Sequence, residues 1–122
     1  MQNNSQKFGK DAEEMAKSFL KKKGYTILAS NWRFKKYEID IIGEINDIIV
    51  FFEVKARRTD AFGDPEMFVD RKKQKFIISA ANNYLEEGGI EKEARFDIVA
   101  VLQINNILTV KHLEGAFYPS VK

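Results

Sequence analysis

Two short stretches of this sequence set carboxylates and an ammonium at strand spacing. Glu53-Val54-Lys55 ends the apolar run Asp47-Ile48-Ile49-Val50-Phe51-Phe52. Alternate residues of a strand share a face, so Glu53 stands beside Lys55 with Val54 turned away. Upstream, Glu38 and Asp40 share a face opposite Ile39 and Ile41, and an antiparallel pairing brings Asp40 next to Glu53. Two converging carboxylates suit Mg²⁺, with Mn²⁺ as its substitute, because a hard cation takes oxygen ligands and keeps several waters. Such an ion polarises a phosphodiester, while Lys55 orients the attacking water or offsets charge on the phosphorane. The acid-x-Lys string is common at this charge density and occurs a second time as Asp70-Arg71-Lys72, at the start of an expected helix. A cross-strand or edge ion pair accounts for Glu53 and Lys55 equally well on these grounds.

The elements that must hold these residues follow from apolar periodicity. Phe8, Ala12, Met15, Ala16, Phe19 and Leu20 lie on one face of a helix over 8–23, with Asp11, Glu13 and Glu14 early, Lys21-Lys22-Lys23 late and Gly24 as a left-handed cap. Strands are expected over 25–33, 37–43 and 47–55, with turns at Phe34-Lys35-Lys36 and Glu44-Ile45-Asn46. Residues 59–64 read as a loop and Asp64-Pro65 as a break. Asp70 is the expected N-cap of a second helix, with Lys73, Ile77, Ala80, Ala81, Tyr84 and Leu85 on one face and Gly88-Gly89 as its stop. Strands over 95–103 and 107–113, joined by Asn105-Asn106, complete the order αβββαββ. A helix between the third and fourth strands lets those two run parallel, which predicts a single α/β domain with a central mixed β-sheet flanked by helices. The domain is expected over 8–118, with flexible tails at 1–7 and 119–122.

At 122 residues, with 44% hydrophobic residues and ten Phe, the chain can bury one core without disulfides or structural metal. It has no Cys and one His, which excludes thiolate zinc sites, cysteine nucleophiles and His-rich metal centres. The N-terminus lacks a signal-peptide core and no apolar run would span a bilayer, so the expectation is a cytoplasmic protein with no membrane partner. The net charge of +2 is too small to imply nucleic-acid binding by itself. The basic residues are nonetheless grouped: Lys21 to Lys23, Arg33 with Lys35 and Lys36, Lys55 with Arg57 and Arg58, and Arg71 to Lys73 with Lys75. They could line one phosphate-binding face, or be solvated loops and helix ends.

Taken in order, Gly24-Tyr25-x-Ile27-Leu28-x-x-Asn31-x-Arg33, Glu38-Ile39-Asp40-Ile41-Ile42, Val50-Phe51-Phe52-Glu53-Val54-Lys55-x-Arg57, Phe62-Gly63-x-Pro65 and Arg95-Phe96-Asp97 resemble the YraN family of small bacterial proteins. The resemblance runs from about residue 8 to 117. It implies a restriction-endonuclease-like fold, similar to Holliday-junction resolvases, and an Mg²⁺-dependent endonuclease acting on DNA, branched or structured DNA included. By this resemblance Asp40, Glu53 and Lys55 take the catalytic positions, with Glu13 as a further acidic metal ligand. On helix grounds alone Glu13 is a first-turn acid favourable to the helix dipole. Lys73 and Gln74 match a Lys-Gln pair that could face phosphate, joining Arg33, Lys35, Arg57 and Arg58 as expected nucleic-acid contacts. Ala12 and Tyr37 replace family glycines, and the Tyr37 ring could stack on a base. Asp97 is expected to bond backbone or a nearby Arg, and His112 to be an ordinary edge-strand residue. A homodimer fits by analogy with resolvases. The alternatives are a catalytically silent nucleic-acid-binding module, or an interaction protein whose charge cluster is structural.

Overall fold

A computed structural model describes residues 4–58 and 69–119, with side chains from Lys7 onward. Seven elements occur in the expected order: α1 (Asn4–Lys22), β1 (Thr26–Phe34), β2 (Tyr37–Ile45), β3 (Ile48–Arg58), α2 (Arg71–Glu87), β4 (Glu93–Ile104) and β5 (Ile107–Phe117). The expected loop over 59–64, the Asp64-Pro65 break and the Phe62-Gly63-x-Pro65 motif lie outside the described residues. The strands form one sheet in the order β1-β2-β3-β4-β5. Only the β3–β4 pair is parallel, because α2 lies between those strands and returns the chain to the same end of the sheet. The result is the expected single α/β domain with a mixed sheet.

The helices cover opposite faces. Ala16 and Leu20 of α1 pack with Ile41, Val50, Phe52 and Val99. Ile77, Ala80 and Ala81 of α2 pack with Ile39, Ile42, Phe51, Phe96 and Ile98. β3 and β4 are covered on both sides, which explains their near-continuous apolar sequences. Each helix has one row of small and branched residues because only that row meets the sheet.

The boundaries differ from expectation in two instructive places. α1 begins at Asn4, so part of the stretch expected as a tail is helical, and the added turn sets Lys7 against Asp11 at 3.2 Å and Phe8 under the Arg58 guanidinium. Glu13 consequently lies in mid-helix, and the first turn holds no acid, which removes the dipole explanation for it. The β2–β3 turn falls on Asn46-Asp47, one residue later than expected. Both have positive φ (50° and 65°), as a two-residue hairpin of the primed type requires, while Ile45 stays paired with Ile48. Asn105-Asn106 makes the same turn between β4 and β5.

Candidate active site

Asp40 and Glu53 meet where the β2–β3 ladder stops. Backbone pairing runs from Ile45–Ile48 to Ile41–Phe52, and beyond it the Val54 amide donates to Asp40 Oδ2 at 2.8 Å instead. The Asp40 carboxylate has taken the place of a ladder carbonyl, which pins it beside Glu53. The expected alternation does not hold through this point. Ile39 belongs to the α2-side core and Ile41 to the α1-side core, so they do not share a face as expected, and Ile42 rejoins the α2 side. The break in period is what lets Asp40 reach Glu53 while Glu38 turns toward α1.

Burial and the adjacent Glu53 charge push the Asp40 carboxyl up to about 8; the Val54 bond opposes this, and Glu13 adds to it. A hydrogen bond to the Glu53 carboxyl also favours the protonated form of Asp40. Glu53 is only 6% exposed and carries the Lys73 ammonium at 2.8 Å. Lys73 comes from the first turn of α2, four residues before the buried Ile77, so the row that packs on the sheet also delivers it to Glu53. Burial disfavours its charge, but the Glu53 bond and the carboxylates around it hold its pKa above the ordinary lysine value. Lys55 shares the Glu53 face as expected, with Val54 packed on the α1 side. Burial and the nearby Arg57 hold the Lys55 pKa below the usual value, with Glu53 opposing.

Glu13 reaches the same region through Asn31. The Asn31 side-chain amide donates to Glu13 Oε2 at 3.0 Å and to Glu38 Oε2 at 2.9 Å, joining α1, β1 and β2. Asn31 has φ of 51° and sits between the Ser30–Ile41 and Trp32–Ile39 pairs, abreast of Asp40; Asn tolerates that left-handed backbone better than most residues. Its part in the cluster was not evident from sequence. Glu13 did have a sequence signal, since it precedes Ala16 and Leu20 by three and seven residues on the buried face.

The expected basic face is divided. Lys55, Arg57 and Lys73 are electrostatic neighbours, and the Arg57 guanidinium donates to the Ala56 carbonyl. Arg33 pairs with Glu38 at 3.4 Å and Lys35 lies over the Phe34 ring at the hairpin. Arg58 covers Phe8. Gln74 donates to the Val69 carbonyl, which fixes the entry to α2. Lys23 belongs to a different cluster. One face of Tyr37 stacks on Phe76 at 4.4 Å and 16°, so that face is not open to a base.

The second cluster surrounds Asp97, which has no exposed surface. It accepts from Arg95 Nε and Nη2 (2.9 and 2.8 Å) and from the Gly115 amide (3.0 Å), and His112 Nε2 lies at 2.8 Å. Arg95 and the Gly115 backbone are the partner types expected for Asp97. His112 is not an ordinary edge residue: its side chain is 2% exposed and Nδ1 meets the Lys23 ammonium. Burial alone would raise the Asp97 pKa, but His112, Arg95 and the Gly115 amide outweigh it and hold the group below its usual value. With its bonds satisfied, this cluster ties β4 and β5 to the end of α1.

Asp40 and Glu53 form a hard, all-oxygen donor pair of the kind a divalent cation takes, with Lys73 already paired to Glu53. Among the described residues, no three His, Asp or Glu side chains stand together as a ligand set for one ion. Glu13 is turned onto Asn31 and Glu53 onto Lys73. Asp40 and Glu53 are the residues that would hold such an ion, the rest of its positions being left to water. No helix among the described residues is long and apolar enough to cross a membrane.

Sequence comparison identifies the family. Residues 12–101 match the model described as "Uncharacterised protein family UPF0102". A UPF0102 protein of Flavobacterium psychrophilum is 43% identical over 110 residues, covering 90% of this chain and 92% of the relative. One from Desulfosudis oleivorans is 42% identical over 118 residues, covering 96% and 94%. A third, from Phocaeicola vulgatus, is 39% identical over 114 residues, covering 93% and 94%. With both the family model and full-length relatives in agreement, the chain belongs to the UPF0102 family, which is the YraN family.

Proposed function

We propose that this protein is a metal-dependent endonuclease of the restriction-endonuclease-like type, hydrolysing phosphodiester bonds of DNA. The observation that carries the reading is the forced proximity of Asp40 and Glu53 beside Lys55, with the Asp40 carboxyl raised to about 8. A carboxyl with a strongly shifted pKa, set among other acids and beside a lysine, marks a site built for charge chemistry. Asp40 and Glu53 are the residues that would hold Mg²⁺ or Mn²⁺, with Glu13 a third acid near them. When bound, the ion supplies a Lewis acid for a phosphoryl oxygen. Lys55 orients the attacking water and offsets negative charge gathering on the phosphorane as the P–O bond breaks. Asn31 holds Glu13 and Glu38 in place, and Lys73 and Arg57 supply positive charge on the approach to phosphate. The two strands of a duplex or junction would be cut by the two sites of a homodimer.

Purified protein incubated with Mg²⁺ or Mn²⁺ and labelled duplex, single-stranded and four-way-junction DNA tests this. Wild type should cut and Asp40→Ala should not; equal cutting by both would identify a contaminant and sink the assignment. A protein that binds these DNAs but never cuts them would be the silent binding module.

A further inference from the structure

Lys73 already holds a cation against one of the two acids. Its Nζ is 2.8 Å from Glu53 Oε2, and Glu53 is buried while the Lys73 side chain is half exposed. The backbone behind it is fixed. The Lys73 amide donates to Asp70 Oδ1 at 2.8 Å, and Ile77, one turn on, is locked into the core. Only the flexible four-carbon stem is free to move, and it can swing into solvent without disturbing α2. Its neighbour Lys72 has the same charge but lies 5.9 Å over the Phe76 ring.

We propose that Lys73 is a built-in counter-ion for Glu53 that a divalent metal must displace, so that the ion pair sets the threshold for loading the site. This rests on the reading of Asp40 and Glu53 as metal ligands and adds a positioning residue to it. Without a counter-ion, Glu53 would be a buried carboxylate beside a second acid, and an arriving metal would have no resident cation to displace. With a metal bound, Lys55, Lys73 and a divalent ion crowd one carboxylate, and the most mobile of the three leaves. The released ammonium then stands at the rim of the site, where a phosphate would approach.

Calorimetric titration of Mn²⁺ and Mg²⁺ into wild type, Lys73→Met and Lys72→Met, without DNA, tests the proposal by a readout other than cutting. Met keeps the stem and removes the charge. Lys73→Met should bind metal about fivefold more tightly than wild type, the effect of removing a competing ion pair worth about 1 kcal/mol. Lys72→Met should bind as wild type does. Circular dichroism of each variant separates an altered fold from an altered site. Weaker or unchanged affinity in folded Lys73→Met overturns the counter-ion role while leaving the metal site standing. Equal tightening in both variants overturns it too, because the cause is then overall charge. If none of the three proteins binds metal, the reading of the site itself fails and the proposal with it.

Discussion

Replacing Asp40 with Asn should make the metal-free protein more stable at neutral pH while removing its metal affinity. Asp40 titrates at 3.8 when unperturbed and is raised to about 8 by burial and by Glu53. The folded state therefore keeps a proton that the unfolded chain releases. Stability from this group is complete below 3.8 and falls as pH rises through the window to about 8, by up to about 1.4 kcal/mol per unit. At about pH 7 the loss relative to acid approaches roughly 4 kcal/mol, an upper bound because side chains relax and water enters. The carboxamide of the Asp40→Asn variant would still accept from the Val54 amide and could donate to Glu53, without the ionisation cost. Urea denaturation in chelator at about pH 5 and about pH 8 should show wild type losing on the order of 1–3 kcal/mol and Asp40→Asn losing much less. Saturating Mg²⁺ should restore wild type at the higher pH and leave the variant unchanged. A wild type with no pH dependence over this range, or a variant less stable than wild type at both values, would refute the reasoning that the two carboxyls are held together against their charge.

Three further substitutions probe the surrounding contacts. Glu53→Gln should weaken Mn²⁺ binding at least tenfold in calorimetry, about 1.4 kcal/mol, since it removes a ligand charge; unchanged affinity would exclude Glu53 as a ligand. Asn31→Gly keeps the φ of 51° accessible but deletes the bridge from Glu13 to Glu38, and should reduce metal affinity by about threefold to tenfold with less than about 1 kcal/mol lost in stability. A large loss of stability with intact metal binding would make Asn31 structural only. Asp97→Ala should cost about 3–5 kcal/mol in denaturation because it leaves Arg95 and His112 without their acceptor, and metal affinity should be unaffected. Asp97 has a depressed pKa, so the stability it contributes is present above the unfolded value of 3.8 and is lost as pH falls through the folded one. The wild-type acid transition should move upward in pH in Asp97→Asn.

The elements were legible because each depends on local pattern. Rows at three and four residues in α1 and α2, and the apolar centre of β3, identify which faces meet, and the intervening helix implies the parallel β3–β4 pair. Asp40, Glu53 and Lys55 were legible for the same reason, as polar residues at strand spacing beside buried neighbours. What escaped the pattern depends on departures from it. Simple alternation put Ile39 and Ile41 on one face, whereas the left-handed Asn31 lies beside Asp40 where the two faces exchange. Lys73 was legible as part of the α2 row, but not its partner, because the α2-to-sheet docking is a long-range fact. His112 could not be read from β5, since its burial is decided by Asp97 on β4 and Lys23 at the end of α1.

The two acidic centres show why burial alone does not mark a functional site. Asp97 has no exposed surface yet its pKa is lowered, because Arg95, His112 and a backbone amide all favour its charged form. Asp40 keeps some exposed surface yet its carboxyl is strongly raised, because burial and Glu53 together outweigh the one bond that favours ionisation. The sign of the shift follows the partners. A carboxylate already supplied with cations and donors has nothing to gain from a metal, so the Asp97 cluster serves to join β4, β5 and α1. A carboxylate crowded by other acids gains from any cation that reaches it, and among the described residues Lys73 already pairs with its neighbour Glu53.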